Sequence, residues 1–359
     1  MATVVLAGGG TAGHIEPALA VARIWKAAHP EDDIIFLGTR TGLENTLVPA
    51  SGFTLTLIPK IAISRRPSLS WIKVPMDLIN SVKASYSIVK SADLLIGFGG
   101  YVSAPAYLAA RLAGVPTLVH EANAKPGWAN RLGALLTPYL AVANPVASRE
   151  FTDALITGIP LRSDVANSFV ESSKDWSAAR ERAKIALGFD PKKPLILVMG
   201  GSQGSVAINS IIDRSLAALQ LKNISILHSV GRLNLLPPAH RTYRPVAYID
   251  DMAQAYLASD LIIARSGAVT CSEFGALGRY ALFVPLPIGN GEQFHNARTL
   301  VETGRAQVIT QSEFSAEYLI ASIDELLLRS SQAPMAGDIK DLEAGEKIVA
   351  LGEFAMGAK

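Results

Sequence analysis

The chain has 359 residues, 49% hydrophobic and 18% charged, enough apolar mass for two domains with sizeable cores. A net charge of +2 is too small to point to nucleic acid, and the single cysteine, Cys271, excludes an intramolecular disulfide framework and fits a reducing compartment. No charged start leads into an apolar run, and the longest uncharged apolar stretch, 132–147, is short and broken by Pro138, Asn144 and Pro145; neither a secretory signal nor a membrane span is expected, and the protein reads as soluble and cytoplasmic.

Strand-like runs fall at 3–7, 34–37, 94–97, 117–120, 195–199, 224–228, 261–264 and 281–285, separated by helix-length segments. That alternation predicts βαβ units and parallel sheets. The first run breaks into Gly8, Gly9, Gly10 and Gly13 before an apolar helix pattern over 18–25. Such a turn exposes helix N-terminal N–H groups, which favour a phosphate or diphosphate, and His14 sits on it as a candidate proton acceptor. Gly8, Gly10 and Gly13 fit G-x-G-x-x-G, yet a dinucleotide enzyme also needs an acidic residue at the end of the second strand to hold the ribose. Asp32 and Asp33 precede that strand, which ends in Gly38-Thr39-Arg40, so position argues against NAD. A plain tight turn is the simpler alternative.

Next in chain order, Arg65-Arg66 followed by Leu69, Trp71, Ile72, Lys73, Val74 and Met76 mixes basic and apolar residues. The mixture suits an anionic membrane surface, with Trp71 at the interface, or equally a surface helix packed on its own domain. Residues 98–105 and 120–124 are further turns at strand carboxyl ends, where open α/β sheets bind ligands. Their alternatives are a plain connection and a capping role for Asn123. The polar, charged segment 163–194 breaks the rhythm and places a domain boundary near 158–162.

After that boundary, Leu195-Ile-Leu-Val-Met-Gly-Gly-Ser-Gln-Gly204 repeats the opening strand and glycine turn, with the Ser202 hydroxyl available to a phosphate. Over 263–273 a strand ends, Ser266-Gly267 turns and a helix begins. Glu273, in an early turn of that helix, is placed to accept both hydroxyls of a ribose, or simply to favour the helix dipole. The loop 285–296 is rich in amide and acid groups of the kind that pair with sugar hydroxyls or with solvent. The segment 338–354 has helical spacing at Ile339, Leu342, Ile348, Leu351 and Phe354 and is expected to return to the first domain. No zinc-type Cys/His spacing and no Asp-x-Asp pair occur, so no divalent metal or other cofactor is implied. A leaving diphosphate then rests on helix N-termini and an arginine, for which Arg162 at the junction is the choice.

The ordered set Gly9-Gly-Thr-Ala-Gly-His14, Gly99-Gly-Tyr-Val-Ser103, His120-Glu-x-Asn123, Thr157-Gly-x-Pro-x-Arg162, Gly200-Gly-Ser-Gln-Gly204, Ile249-Asp-Asp-Met252, Arg265-Ser-Gly-Ala-x-Thr270 with Glu273, and Gln293-x-x-Asn-Ala297 runs over most of the chain. It resembles the MurG family of bacterial N-acetylglucosaminyltransferases, which convert lipid I to lipid II in peptidoglycan synthesis. The resemblance implies an α/β GT-B fold: two Rossmann-like domains whose parallel sheets face an interdomain cleft. Its parts are an acceptor- and membrane-facing domain, 1–160, a UDP-sugar domain, 161–336, and a helix, 337–359, returning to the first.

The implied reaction is inverting transfer of N-acetylglucosamine from UDP-N-acetylglucosamine to the C4 hydroxyl of the polyprenyl-diphosphate-linked muramyl pentapeptide, with no cofactor required. By the same resemblance His14 is the general base, an imidazole suited to the task because it ordinarily titrates near pH 6.5. Donor contacts fall to Thr11, Ala12, Gly13, Asn123, Arg162, Ser202, Ile249, Ala268, Val269, Thr270, Cys271, Ser272, Glu273 and Gln293. Gly10, Tyr101, His120 and Glu121 line the acceptor side, and Arg65, Arg66, Trp71, Ile72 and Lys73 form a membrane patch. The implied partners are the two substrates, the anionic inner membrane surface and other cell-wall synthesis proteins, with the enzyme peripheral on the cytoplasmic face.

Five positions depart from the family pattern. Ala12, Ala104 and Ala122 replace two glycines and a glutamine, Glu292 a frequent glutamine or histidine, and Glu16 an apolar or aromatic residue. Ala12 narrows the backbone freedom of the first turn, and Glu16, if close to His14, raises its pKa. The competing readings are a UDP-N-acetylglucosamine 2-epimerase of the same architecture, an NAD-dependent oxidoreductase, and a protein that binds the donor without turnover.

Overall fold

The computed structural model describes residues 1–61, 74–288 and 290–358. The expected membrane patch, Arg65, Arg66, Trp71, Ile72 and Lys73, lies outside the described residues. The chain forms two compact units, Met1–Arg162 with Asp341–Lys359, and Ser163–Lys340. The sequence division falls after residues 160 and 336; the structural one falls after Arg162 and Lys340.

The first unit runs β1 (Thr3–Gly8), α1 (Ala12–Ala28), β2 (Asp33–Gly38), α2 (Glu44–Ala50), β3 (Thr54–Leu57), α3 (Val74–Val89), β4 (Leu94–Gly99), α4 (Ser103–Ala113), β5 (Thr117–Glu121), α5 (Trp128–Ala134), β6 (Tyr139–Val142) and β7 (Leu155–Ile156). The second runs α6 (Ser163–Ser172), α7 (Trp176–Ala186), β8 (Leu195–Met199), α8 (Val206–Leu221), β9 (Ser225–Ser229), β10 (Tyr243–Val246), α9 (Met252–Ala258), β11 (Leu261–Ala264), α10 (Ala268–Ala276), β12 (Ala281–Phe283), α11 (Glu292–Asn296), α12 (Arg298–Glu302), β13 (Ala306–Val308) and α13 (Ala316–Gln332). The chain then re-enters the first unit as α14 (Ala344–Gly357).

Both sheets are parallel, in the orders β3-β2-β1-β4-β5-β6-β7 and β10-β9-β8-β11-β12-β13. Central parallel strands are covered on both faces, which explains the unbroken apolar runs of β1 and β8. Along β1 the two-residue period sends Val4 and Leu6 to one core, with Leu19 and Trp25 of α1 and Ile348 of α14, and Val5 and Ala7 to the other, with Ala106 and Tyr107 of α4. In each sheet the strand order reverses beside the first strand, between β1 and β4 and between β8 and β11. Such switch points leave a crevice at the strand carboxyl ends.

All eight predicted strands form. Five more, β3, β6, β7, β10 and β13, are short and lie toward sheet margins, where the apolar signal is brief. The last helix begins at Ala344, after Ile339 and Leu342, and Ile339 and Phe354 are exposed. Its buried face is Ala344, Gly345, Ile348, Val349, Gly352 and Ala355; the expected Ile348 is in it, Leu351 packs partly buried on the same core, and the segment returns to the first unit as expected. Small residues there let α14 approach closely; a Cβ on Gly352 would lie 2.9 Å from both Leu94 and Trp25. Among the described residues no helix is long and apolar enough to cross a membrane.

His120, expected on the acceptor side, is instead a core side chain of β5, 1% exposed, whose Nε2 donates to the Gly158 carbonyl at 2.9 Å. Burial pulls its pKa from 6.5 down to about 4, against the opposing pull of the Gly158 bond. The unfolded chain therefore binds the proton near pH 6.5 and the folded chain only near 4. Stability from the neutral ring is complete above pH 6.5 and lost as pH falls toward 4, a change of about 3 kcal/mol. Urea unfolding between pH 7 and 4 should show this loss in the parent chain and a shallower one in His120→Gln. Parallel pH profiles for the two would contradict it.

Candidate active site

At the first switch point β1 runs into the glycine turn and α1. Thr11, in extended backbone, is the N-cap, and Ala12 is already helical. Alanine therefore fits this position without left-handed strain, and the concern about its backbone freedom lapses. The N–H groups of Ala12 and Gly13 have no carbonyl partner within their own helix, which leaves an anion-binding terminus.

His14 is half-buried on the first turn of α1. Its Nδ1 lies 3.2 Å from the Gly9 carbonyl and 3.2 Å from Thr11 Oγ1. A carbonyl can only accept, so Nδ1 carries the proton and Nε2 is the basic nitrogen. The ring packs on Gly99 and Gly100: a Cβ on Gly99 would be 3.4 Å from Nε2 and one on Gly100 3.2 Å from Nδ1, and both glycines have positive φ. Burial lowers the His14 pKa, while the Gly9 hydrogen bond and the Glu44 carboxylate push it up. The carboxylate that raises it is Glu44, from the start of α2. Gly10, expected on the acceptor side, gives its N–H to Glu44 Oε2 at 3.0 Å and has no N–H left for a ligand. Tyr101, from the β4–α4 connection, is 43% exposed beside Gly10 and available to a ligand.

Two side chains given no site role by the sequence, Ser103 of the Gly99–Ser103 motif and Asn130, set this geometry. Ser103 Oγ sits 2.8 Å from both the Ala7 and Gly99 carbonyls, tying the ends of β1 and β4 together. Asn130 donates to the His120 carbonyl and to Glu121 Oε2, and accepts from Tyr107 at 2.7 Å. Glu121, also expected at the acceptor, is 2% exposed and fully engaged. It accepts from Asn123 N, Asn123 Nδ2, Gly127 N and Asn130 Nδ2 at 2.8–3.1 Å. Burial raises its pKa against those bonds. His120 and Glu121 therefore position the loop that presents Asn123.

The second unit repeats the arrangement. After β8, the turn 200–204 leads to Ser205, which caps α8 and accepts from Arg265 Nη2 at 2.8 Å. Arg265 also donates to the Val284 and Pro285 carbonyls and to Gln311 Oε1, joining the turn after β8 to the loop after β12. Ser202 stays half-exposed on that turn.

After β11, Gly267 caps α10 through its backbone, leaving the N–H groups of Ala268, Val269 and Thr270 without helical partners. The buried Ser266 Oγ beside them has no hydrogen-bond partner among the described residues. A helix N-terminus with an unmet buried hydroxyl is suited to a phosphate. The Cys271 N–H, in contrast, bonds to the Gly267 carbonyl and its thiol is buried, with its pKa raised by burial. Cys271 is thus a packing residue of the turn.

Glu273 is the sixth residue of α10, in its second turn, 3% exposed, and accepts from Tyr256 OH at 2.8 Å. Gln293 Oε1 accepts from Leu286 N and Asn296 Nδ2 donates to the Ser266 carbonyl, so the loop 285–296 is tied to the α10 turn. Ile249 is buried just before α9, and Arg162 is the last residue of the first unit's leading segment.

The dinucleotide reading fails on geometry as well as position. Asp32 accepts from Ala2 N and Trp25 Nε1, and Glu44, the acid nearest the end of β2, is wholly buried and turned toward Gly10 and Thr39. Among the described residues no group of three His, Cys, Asp or Glu side chains is placed to hold a metal ion.

Residues 4–137 match the glycosyltransferase family 28 N-terminal domain and residues 195–348 its C-terminal domain. The chain is 45% identical over 323 residues to the UDP-N-acetylglucosamine--N-acetylmuramyl-(pentapeptide) pyrophosphoryl-undecaprenol N-acetylglucosamine transferase of Streptomyces coelicolor, covering 88% of this chain and 86% of that one. The protein of the same name from Corynebacterium glutamicum is 42% identical over 354 residues, 98% of this chain and 97% of its own. Among solved structures, Acinetobacter baumannii MurG aligns with a TM-score of 0.69 at 28% identity, over 99% of this chain and 100% of that one. A UDP-GlcNAc 2-epimerase from Neisseria meningitidis, at 13% identity and a TM-score of 0.62 over 98% and 99% of the two chains, shares the fold alone. With both of its domain models matched in order over the two parallel-sheet units, the chain belongs to glycosyltransferase family 28 and is a glycosyltransferase of GT-B fold.

Proposed function

We propose that this enzyme transfers N-acetylglucosamine from UDP-N-acetylglucosamine to the C4 hydroxyl of lipid I, giving lipid II and UDP. One observation carries the reading: each switch point holds a helix N-terminus built for an anion, one bearing His14 and the other leading to Glu273, in a chain whose relatives are named for this transfer. The second unit receives the donor. Ser202, Ser266 and the N–H groups of Ala268, Val269 and Thr270 take the diphosphate with Arg162, Glu273 takes the ribose, Ile249 borders the uracil, and Gln293 and Asn123 address the sugar. Thr11, Ala12, Gly13 and Tyr101 serve the reacting centre and the acceptor.

The transfer is a single inverting displacement. The acceptor C4 oxygen forms its bond to the anomeric carbon as the bond to the UDP oxygen breaks, and UDP departs with the electron pair. The hydroxyl proton passes to His14 Nε2. Negative charge growing on the diphosphate meets fixed N–H dipoles that need no reorganisation, so stabilisation is greatest in the transition state. A polyprenyl-linked acceptor brings the enzyme to a membrane surface. Exposed Met76, Ile79 and Tyr86 lie with Lys83 on one face of α3, directly after the basic–aromatic segment that ends at Lys73, a pattern suited to lying on anionic lipid.

Three measurements follow. Glu273→Ala should weaken UDP-N-acetylglucosamine binding by about 1.5–3 kcal/mol in calorimetry, the worth of a charged hydrogen bond; unchanged affinity would reject the ribose assignment. His14→Ala should lower kcat by about 10²–10⁴-fold with donor affinity kept; near-parent turnover would remove His14 as base. Met76→Ser with Ile79→Ser should reduce co-sedimentation with anionic vesicles, and unaltered sedimentation would detach α3 from the membrane.

A further inference from the structure

Glu44 opens α2 and is wholly buried, yet none of the roles above uses it. Its Oε1 accepts from Thr39 N at 2.9 Å and Thr39 Oγ1 at 3.1 Å, at the end of β2. Its Oε2 accepts from Gly10 N at 3.0 Å. Glycines keep this space open. A Cβ on Gly42 would stand 1.9 Å from Oε2, one on Gly38 2.5 Å from the Glu44 Cγ, and one on Gly9 3.2 Å from Oε1. The run Gly38-Thr-Arg-Thr-Gly-Leu-Glu44 thus closes around its own carboxylate.

The N–H of Gly10 and the carbonyl of Gly9 belong to one peptide group. Glu44 accepts from one end of that peptide, and its other end accepts the Nδ1 proton of His14. Carboxylate, peptide and imidazole form a continuous hydrogen-bonded chain. Aligned hydrogen bonds polarise one another, so a charge on Glu44 makes the Gly9 carbonyl a stronger acceptor and the ring a stronger base. A buried carboxylate beside a catalytic imidazole fixes its tautomer and stabilises the imidazolium; here one peptide group stands between the two.

We propose that Glu44 is a positioning residue for glycosyl transfer, holding the His14 ring through the Gly9–Gly10 peptide and balancing the charge that His14 gains with the acceptor proton. The proposal rests on His14 being the base. Of the groups around the ring, Thr11 at the N-cap of α1, Gly99 and Gly100 at the end of β4, and Asn130 on α5 are uncharged. Tyr101 lies beside Gly10, Glu16 follows two positions along α1, and the carboxylate that raises the His14 pKa is Glu44.

The test is the pH dependence of kcat with a soluble lipid I analogue for the parent, Glu44→Gln, Glu44→Asp, His14→Ala and the double variant His14→Ala with Glu44→Gln. Glu44→Gln keeps the volume and removes the charge. It should lower kcat by about 10–100-fold, a usual cost for losing the partner that orients a functional histidine. It should leave the KM for UDP-N-acetylglucosamine in place and move the acid limb to lower pH, because the charge that raised the His14 pKa is gone. Glu44→Asp keeps the charge, so its limb should stay with the parent's even where contact is weakened; it also provides the reading if Glu44→Gln fails to fold. The double variant should be no slower than His14→Ala. An unmoved limb in Glu44→Gln, a displaced limb in Glu44→Asp, or an additive loss in the double variant overturns the relay while leaving His14 as base. Full turnover in His14→Ala overturns the base, and the relay with it.

Discussion

A helix that starts at the carboxyl end of a central parallel strand leaves its first N–H groups without carbonyl partners, and in this chain that constraint appears at both places where a sheet reverses its strand order. At the first, α1 offers Ala12 and Gly13; at the second, α10 offers Ala268, Val269 and Thr270 beside the buried Ser266 hydroxyl. Much of the remaining polar structure holds these two ends in place. Ser103 and Glu44 fix the first turn, and Arg265 and Ser205 join the loops around the second. An anionic leaving group is the chemistry such termini favour, and glycosyl transfer from a nucleoside diphosphate supplies one.

The two termini differ in what stands beside them. The first carries an imidazole whose Nδ1–H is anchored by the Gly9 carbonyl, leaving Nε2 basic. The second carries a carboxylate oriented by a tyrosine hydroxyl. A base with a pKa held down by burial suits proton removal near neutral pH, and a fixed carboxylate suits a sugar diol. Two copies of one supersecondary unit thus present different chemistry through a few side chains, as happens when function is grafted on a common fold.

Central features of the fold were legible because their physical signal is local. β1 and β8 are unbroken apolar runs ended by glycines, and parallel strands buried on both faces cannot look otherwise. Marginal strands such as β7 and β13 are two and three residues long and carry no period to detect. The last helix is legible only in part for a related reason: Ile348 and Leu351 meet the core as their spacing suggests, but the inward face also relies on Gly345 and Gly352, which add nothing to an apolar pattern yet permit close packing. Within the site, residues that act through exposure and helix termini were visible as turns. Those that act from beneath were misread. His120 and Glu121 share a motif with Asn123, but strand pairing and burial turn them into supports. Glu44 is hidden in the sequence because its partner Gly10 is distant, although the two glycines that precede it, Gly38 and Gly42, are a trace of a carboxylate that needs room.

Acceptor-dependent release of UDP is the most direct test of the transfer. Purified protein with UDP-N-acetylglucosamine and a lipid I analogue should release one UDP per β-linked disaccharide formed, and should not turn over when the acceptor is left out. Isomerisation of the UDP-sugar without acceptor, or UDP release indifferent to the acceptor, would contradict it.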